Sequence, residues 1–197
     1  LSSSSAASDV YKRQAPDYET KSTYTATVTA SDGTNSTTQA ITVNVTDVND
    51  NSPVFTSSTT FSGDENQTSI GSVTASDADN DQLTFAISGS DLAITSAGVL
   101  TFISAPDYET KTSYTATVTV TDGINASTQD ITVSVNNVND NSPVFTSSTT
   151  FSAAENQTAI GTVTATDADG TLPTYTVSGS ELSVSYTHLT LPTKRIV

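Results

Sequence analysis

The 197-residue chain contains no cysteine, methionine or tryptophan, and it has only one histidine. Without cysteine it cannot form a disulfide framework, a thiolate metal site or a cysteine nucleophile. It has no run of about 18 apolar residues, so we expect no direct membrane insertion of this segment. Residues 1–8 have neither the basic start nor the apolar stretch of a signal peptide, so we expect any export signal to lie outside this sequence.

Charge of one sign dominates the composition. The chain has 21 acidic and 6 basic side chains and a net charge of −15. Residues 15–185 hold 20 acidic side chains against only Lys21 and Lys111, which gives this part a net charge of −18. So many uncompensated carboxylates repel nucleic acid and anionic membrane surfaces, and their natural counter-charge is a cation. The composition therefore argues against a nucleic-acid partner and favours cation binding.

A long internal repeat organises the sequence. The stretch NDNSPVFTSSTTFS begins at Asn49 and recurs unchanged at Asn139, 90 residues later. With the same offset, residues 15–62 match their counterparts at 37 of 48 positions, and residues 63–92 match theirs at 17 of 30. A period of this length indicates tandem domain-sized modules rather than the short units of a solenoid.

The period predicts five segments. The two ends do not match the repeat; they hold four of the six basic residues and the histidine, and they resemble translated sequencing-adapter sequence. We expect them to be non-native or disordered tails without function. The flanking copies are too incomplete to close a core. The predicted segments are a tail at residues 1–14, the C-terminal part of a repeat at 15–51, a complete repeat at 52–141, the N-terminal part of a repeat at 142–185, and a tail at 186–197.

Strict alternation in the middle copy predicts strands. Ser113–Thr121 reads SYTATVTVT, with apolar residues on one face and Thr or Ser on the other, and Ile131, Val133 and Val135 alternate in the same way. Period two with one apolar face indicates half-buried strands. No window of ten residues carries a helical period, so we predict an all-β fold. Seven short strands in 90 residues indicate a β-sandwich; the other five are Val54–Phe61, Ile70–Ala75, Leu83–Ile87, Leu92–Thr95 and Val99–Ile103.

Acidic and amide side chains cluster in the loops at strand ends. Asp77-Ala78-Asp79 and Asp107-Tyr108-Glu109 recur in the neighbouring copies. Carboxylate, amide and carbonyl oxygens suit Ca²⁺, whereas Zn²⁺ prefers Cys and His, and Mg²⁺ retains its waters. An EF-hand beginning at Asp77 fails, because Gln82 and Ser88 stand where that loop needs Gly and Glu. A single such loop would be an ordinary solvated turn, but five loops recurring at one period favour calcium.

Four motifs in a fixed order then carry a family resemblance. ENQTSIGSVTASDAD, APDYET, TDG and DVNDNSPVF resemble the cadherin repeat in order and spacing, over all of residues 15–185. The resemblance implies a seven-stranded Greek-key immunoglobulin-like β-sandwich that binds calcium. It also implies cell adhesion, homophilic in many cadherins, in an extracellular or cell-surface protein attached to a membrane or envelope. The short link from Asp79 to Leu83 is more similar to bacterial cadherin-like repeats than to animal cadherins.

In that family calcium lies between consecutive repeats, bound by the base of one repeat, the connector and the top of the next. The resemblance implies two such junctions. For the first, the implied ligands are Asp17, Glu19, Asp47, the Val48 carbonyl, Asn49, Asp50, the Asn51 carbonyl, Asp77, Asp79, the Asn80 carbonyl and Asp122. For the second, they are Glu65, Asp107, Glu109, Asn137, the Val138 carbonyl, Asn139, Asp140, the Asn141 carbonyl, Asp167 and Asp169.

Two departures from the family pattern concern these ligands. Asn137 stands where the first junction has Asp47, so the second junction has one carboxylate fewer. Each junction also lacks one partner: the first has no equivalent of Glu65, and the second has none of Asp122.

Three functions remain open at this point. The leading one is a calcium-stiffened stalk or adhesion module whose partners are calcium and other cadherin-like repeats or cell-surface glycans. The second is a non-catalytic carbohydrate-binding or spacer module of a secreted enzyme, which exposed aromatic residues would mark. The third is a hydrolase that uses a carboxylate pair such as Asp107 and Glu109. These two lie two residues apart in a repeated loop, so we expect no enzymatic activity.

Overall fold

A computed structural model describes residues 14–179 and 181–185. The predicted tails therefore lie outside the described residues, apart from Gln14. The chain divides into two units, residues 1–136 and 137–197. Within the described ranges every regular element is a strand, and no helix there has the length and hydropathy needed to cross a membrane. The all-β prediction is confirmed, while the boundaries of the repeats stay a prediction.

The described part of the chain contains thirteen strands. The first unit holds eleven of them and the second holds two. Their bounds are β1 Thr23–Ser31, β2 Ser36–Asn44, β3 Val54–Phe55, β4 Thr60–Asp64, β5 Ser69–Ser72, β6 Ala75–Ser76, β7 Thr84–Ile87, β8 Leu92–Ile94, β9 Val99–Phe102, β10 Ser113–Thr121, β11 Ala126–Asn136, β12 Val144–Phe145 and β13 Ala165–Thr166.

The middle repeat is a sandwich of two sheets. One sheet has the strand order β4-β11-β10-β7 and the other β5-β9-β8, and β3 pairs with β6. Apolar residues from both sheets pack into one core, in which Val118 and Val133 from the first sheet meet Leu100 and Phe102 from the second. Each of these four side chains is at most 2% exposed. The alternation in β10 and β11 therefore identified the buried face correctly.

Two predicted strands are each divided in the structure. The predicted strand Val54–Phe61 becomes β3 and β4, which pair with β6 and β11 respectively. Between them, the N–H groups of Thr56 and Ser57 both donate to the Thr74 carbonyl, and the Ser58 hydroxyl accepts from the N–H of Thr60. These bonds turn the chain from one pairing partner to the other. The predicted strand Ile70–Ala75 likewise becomes β5, which pairs with β9, and β6.

The first copy contains the same hairpin, and apolar residues on its face are exposed. Strands β1 and β2 pair in the register of β10 and β11, shifted by 90 residues. Val118 and Val133 are completely buried, but their equivalents Val28 and Val43 are 40% and 54% exposed. Since the local sequence is nearly the same, burial depends on the strands that pack across the sandwich.

The second unit repeats the opening of the middle repeat. Strands β12 and β13 pair antiparallel, as β3 and β6 do. The N–H of Ala165 donates to the Tyr175 hydroxyl at 2.8 Å, and the Tyr175 ring lies 6.4 Å from that of Phe145. Phe145 is nevertheless 68% exposed. In both flanking copies, apolar residues that would face a complete core are accessible to solvent.

This contrast gives a matched pair of variants. We expect Val118→Asp to place an unpaired charge in a closed core, at a cost of about 3–5 kcal/mol, against a typical domain stability of roughly 5–15 kcal/mol. Val28→Asp makes the same change at the equivalent exposed position and should shift stability by less than about 1 kcal/mol. Urea denaturation of the full chain, followed through the cooperative transition of the middle repeat, compares them. Equal destabilisation by both variants would contradict the assignment of the core.

Candidate metal centre

Carboxylates from three separate segments meet in the first unit. Glu19 precedes β1, Asp50 lies in the connector after β2, and Asp79 lies in the loop between β6 and β7. One carboxylate oxygen of each lies within 4.8 Å of the others. Asp77, Asp79 and Asp81 form a second group with the same spacing. Like charges at this distance repel strongly unless a cation or hydrogen-bond donors compensate them.

Asn51 ties the connector to this acidic loop. Its backbone N–H donates to Oδ2 of Asp79 at 2.9 Å, and its side-chain amide donates to Oδ1 of Asp79 at 2.9 Å. The backbone donor, then the amide donor, holds the pKa of Asp79 below its usual value. The N–H of Asp79 in turn donates to Oδ1 of Asp77 at 3.0 Å. These bonds fix Asp79 in its ionised form beside the connector.

Two buried carboxylate oxygens test whether the site suits a cation. Oδ1 of Asp122 accepts the N–H groups of Ile124 at 2.7 Å and Asn125 at 2.6 Å. Among the described residues, Oδ2 of Asp122 and Oδ2 of Asp77 are buried and have no hydrogen-bond partner. Burying such oxygens is costly unless something coordinates them. Because every ligating atom is oxygen and several groups are anionic, the residues fit Ca²⁺.

Two pKa shifts reveal how crowded the charges are. Burial raises the pKa of Asp81, and the carboxylates of Asp77, Asp79, Asp122 and Asp47 raise it further. The backbone N–H of Glu19 lowers the pKa of its own carboxyl, but desolvation and the carboxylates of Asp17 and Asp79 outweigh it, so the net shift is upward. The carboxylate of Asp47 therefore lies near that of Asp81, and the carboxylate of Asp17 lies near that of Glu19. Asp81 was absent from the predicted ligands, although it is the third Asp in DADND.

Asp122 shows the opposite shift. Burial raises the pKa of its carboxyl, but the N–H donors of Ile124 and Asn125 outweigh that effect, so the pKa lies below its usual value. The side-chain amides of Asn49 and Asn125 lower the pKa further, so the side chain is ionised at neutral pH.

The remaining predicted ligands of the first junction have clear positions. Asp17 closes its own loop, accepting the N–H and hydroxyl of Thr20 at 3.1 and 2.9 Å. Asn80 adopts the left-handed conformation with φ 61°, which lets the loop reverse direction after Asp79. Asn49 accepts a hydrogen bond from Asn125, and the Val48 side chain is 64% exposed. The structure thus brings the base, the connector and the upper loops together at the first junction.

The base ligands predicted for the second junction lie in the first unit. Glu65 is only 2% exposed, and its Oε2 accepts the N–H of Tyr108 at 2.8 Å. Both carboxylate oxygens of Asp107 accept from Thr110, at 3.1 Å from the N–H and 2.9 Å from the hydroxyl. Glu109 follows in the same turn and is exposed.

The connector and top residues of that junction lie in the second unit, where they repeat the Asn51–Asp79 arrangement. Asn141 donates to Asp169 through its N–H at 2.8 Å and its amide at 2.9 Å, and the N–H of Asp169 donates to Asp167. Asn137 donates its amide to the Asp169 carbonyl at 3.1 Å. The amide of Asn141 also donates to Asp140. Val138 is 40% exposed and Asn139 is exposed, and the assembly of a complete second site stays a prediction.

Curated relatives of this chain carry cadherin names. Cadherin EGF LAG seven-pass G-type receptor 2 from mouse is 37% identical over 142 residues, which are 66% of this chain and 5% of the relative. Mouse protocadherin-15 is 35% identical over 163 residues, which are 76% of this chain and 8% of the relative. The chain therefore spans less than a tenth of the length of these relatives. No protein-family model matches it.

Solved structures agree with the sequence relatives. Extracellular cadherin domains 3–6 of protocadherin gamma B2 superpose with a TM-score of 0.67 at 29% identity, covering 77% of this chain and 44% of that one. The human desmocollin-1 ectodomain gives 0.60 at 26% identity, covering 79% of this chain and 34% of that one. The fold is thus an immunoglobulin-like β-sandwich, as predicted. The chain carries cadherin repeats; a bacterial-type origin stays a prediction.

The unpaired oxygen of Asp122 gives a test of the site. We expect Asp122→Asn to weaken calcium binding roughly tenfold, because charge count helps to set the affinity of oxygen-ligand sites. Metal-free stability should change little, since the amide oxygen of Asn can still accept both backbone N–H groups. Calorimetric titration of the full chain with calcium measures the affinity, and thermal denaturation in chelator measures the stability.

Asp32 provides the matched control. It occupies the same turn in the first copy, where its Oδ1 accepts from Thr34 and Asn35. Asp32→Asn should leave the calcium titration unchanged. An Asp122→Asn titration indistinguishable from that of the wild type would show that Asp122 does not hold the ion.

Proposed function

We propose that this chain is a calcium-rigidified stalk or adhesion module of an extracellular, cell-surface protein. The observation that carries the proposal is the convergence of Glu19, Asp50 and Asp79 within 4.8 Å. These residues belong to the base of the first copy, the connector and the top of the middle repeat. A cation held among them would join all three segments, adding to the hydrogen bonds that tie the connector to the top of the middle repeat.

The energetic argument starts from repulsion. Without a cation, the carboxylates of the junction push against each other, as the raised pKa of Asp81, caused by burial and by four neighbouring carboxylates, indicates. Neutralising them removes the force that separates the base from the top. Calcium modules outside cells bind at about 10⁻⁴–10⁻³ M, so such a joint is rigid in an extracellular medium and loose where calcium is scarce.

The partners are proposed from the relatives. One solved neighbour, with a TM-score of 0.66 and 29% identity, is described as a cis-dimer of protocadherin gammaB7 extracellular domains 3–6. It supports other cadherin repeats as the partner class. The comparisons give no support to cell-surface glycans.

The competing functions find little support in the side chains. A carbohydrate-binding module needs exposed aromatic rings, but Tyr108 and Tyr114 pack against the core of the middle repeat. The exposed rings of Tyr18, Phe145 and Phe151 lie in the incomplete flanking copies, and their equivalents in the middle repeat, Tyr108, Phe55 and Phe61, also pack against its core. A hydrolase would need one carboxyl of the Asp107–Glu109 pair available as an acid or base. Both oxygens of Asp107 instead accept from Thr110, which is the contact of a residue that closes a turn.

Calcium should therefore order the connector more than the sandwich. We expect the backbone amides of residues 46–51 to exchange hydrogen at least tenfold more slowly when calcium is added to the metal-free chain. Those of β10 and β11 should change little, because their protection comes from the sheet and the core. Hydrogen-exchange mass spectrometry with calcium, and with magnesium at the same concentration as the control, makes the comparison. Equal protection by both ions, or none in the connector, would contradict the proposal.

The two connectors offer a second test through one position. Asp47 contributes negative charge near Asp81, whereas its equivalent Asn137 is uncharged and donates to the Asp169 carbonyl. We expect Asp47→Asn to weaken calcium binding at the first junction and Asn137→Asp to strengthen it at the second, each by a few-fold, because other carboxylates remain and salt screens part of the charge. Calorimetric titration of both variants in two uninterrupted repeats decides it. If neither substitution changes the calcium affinity of its own junction, this position does not face the metal.

A further inference from the structure

We propose that Asn125 is a positioning residue that holds the first connector in its ligating conformation before calcium binds. Asn125 lies at the turn between β10 and β11, and no motif or implied ligand set pointed to it. The inference rests on the proposed function, since it concerns how the chain prepares the same junction.

The side chain of Asn125 spans from the turn to the connector. Its amide nitrogen donates to Oδ1 of Asn49 at 2.7 Å and to the backbone carbonyl of Asn51 at 2.9 Å. These acceptors lie 76 and 74 residues earlier in the chain, and both contacts are partly buried. Both oxygens are among the ligands implied for the first junction. Each has two lone pairs, so accepting one hydrogen bond leaves capacity for a cation.

The turn that carries Asn125 does not need its amide. The N–H of Asn125 donates to Oδ1 of Asp122 at 2.6 Å, and its carbonyl accepts the hydroxyl of Thr121 at 2.7 Å. The N–H of Gly123 donates to the same hydroxyl at 3.0 Å. Backbone groups and neighbouring side chains therefore fix the turn, and the amide is available for the connector. A change confined to that amide should leave the sandwich intact.

The first copy forms the equivalent turn, and its Asn at the same position makes a different contact. There Asp32 accepts the N–H groups of Thr34 and Asn35, just as Asp122 accepts those of Ile124 and Asn125. The Asn35 amide turns back to Oδ2 of Asp32, at 3.5 Å. In the middle repeat the amide reaches the connector instead, and Oδ2 of Asp122 is buried without a partner among the described residues. In the middle repeat the same side chain therefore contacts two oxygens of the connector.

This arrangement lowers the cost of ordering the connector on binding. The apparent affinity of a ligand is proportional to the fraction of the protein that is already in the binding-competent conformation, so the affinity falls when that fraction falls. Losing one or two hydrogen bonds to the connector should reduce that fraction to about one-tenth of its value in the wild type. We therefore expect Asn125→Ala to weaken calcium binding at the first junction by about tenfold.

The experiment compares Asn125→Ala with Asn35→Ala in the full chain. The decisive readout is taken without metal: nitrogen-15 relaxation of the backbone amides of residues 49–51 in chelator. Asn125→Ala should increase their motion, Asn35→Ala should not, and thermal denaturation should show the same transition in both. Asn125→Asp adds a variant of the same shape that keeps a residue suited to the turn but cannot donate. It should mobilise the connector as the alanine variant does.

The outcomes separate this inference from the proposed function. Unchanged motion of residues 49–51 in both Asn125 variants would overturn the positioning role, even if the chain binds calcium as proposed. In Asn125→Ala, greater motion together with unchanged calcium affinity would overturn the claim that the contact prepares the metal site. A wild-type chain that binds no calcium at all would end the proposed function, and the metal-free relaxation data would still decide whether Asn125 holds the connector.

Discussion

The structure of the junction depends on one electrostatic constraint: several carboxylates from segments far apart in the chain must lie close together. Glu19, Asp50 and Asp79 approach within 4.8 Å, and Asp77 and Asp81 crowd the same loop. Hydrogen-bond donors compensate part of the charge, and Asn51 supplies two of them to Asp79. Donors of this kind favour the ionised form, so they keep the charges in place rather than removing them. A bound cation would compensate several such carboxylates together.

This constraint explains why a polar triplet recurs unchanged. The three residues of Asn49-Asp50-Asn51 make different contributions, since the first accepts from Asn125, the second adds a carboxylate, and the third donates twice to Asp79. The triplet Asn139-Asp140-Asn141 keeps the last of these, with the same two bonds from Asn141 to Asp169. An amide at the third position donates where a carboxylate would only repel, so Asn and Asp are not interchangeable here.

The sequence predicts the fold and the site to different depths. Period two gave the buried faces of β10 and β11, because burial alternates with the strand pleat. It could not show that Val54–Phe61 divides, since the choice between β6 and β11 as partner is made by residues far along the chain. The ligand set came from a family resemblance rather than from the residues alone. No sequence pattern points to Asn125, because its amide contacts residues that lie 74 and 76 positions earlier in the chain.

Comparison of the copies also separates strand pairing, which the local sequence determines, from burial, which depends on the surrounding strands. Val28 and Val118 lie in nearly identical hairpins of the same register, yet one is 40% exposed and the other is completely buried. The hairpin forms in both, so pairing is a local property, whereas the core needs the opposing sheet. The junction follows the same logic, since Asn35 and Asn125 occupy equivalent turns but make different contacts: the Asn35 amide donates to Asp32 and the Asn125 amide to the connector. Under the proposed function, each repeat would complete its neighbour's metal site but not its neighbour's core, so the joint would respond to calcium while the sandwich stays folded.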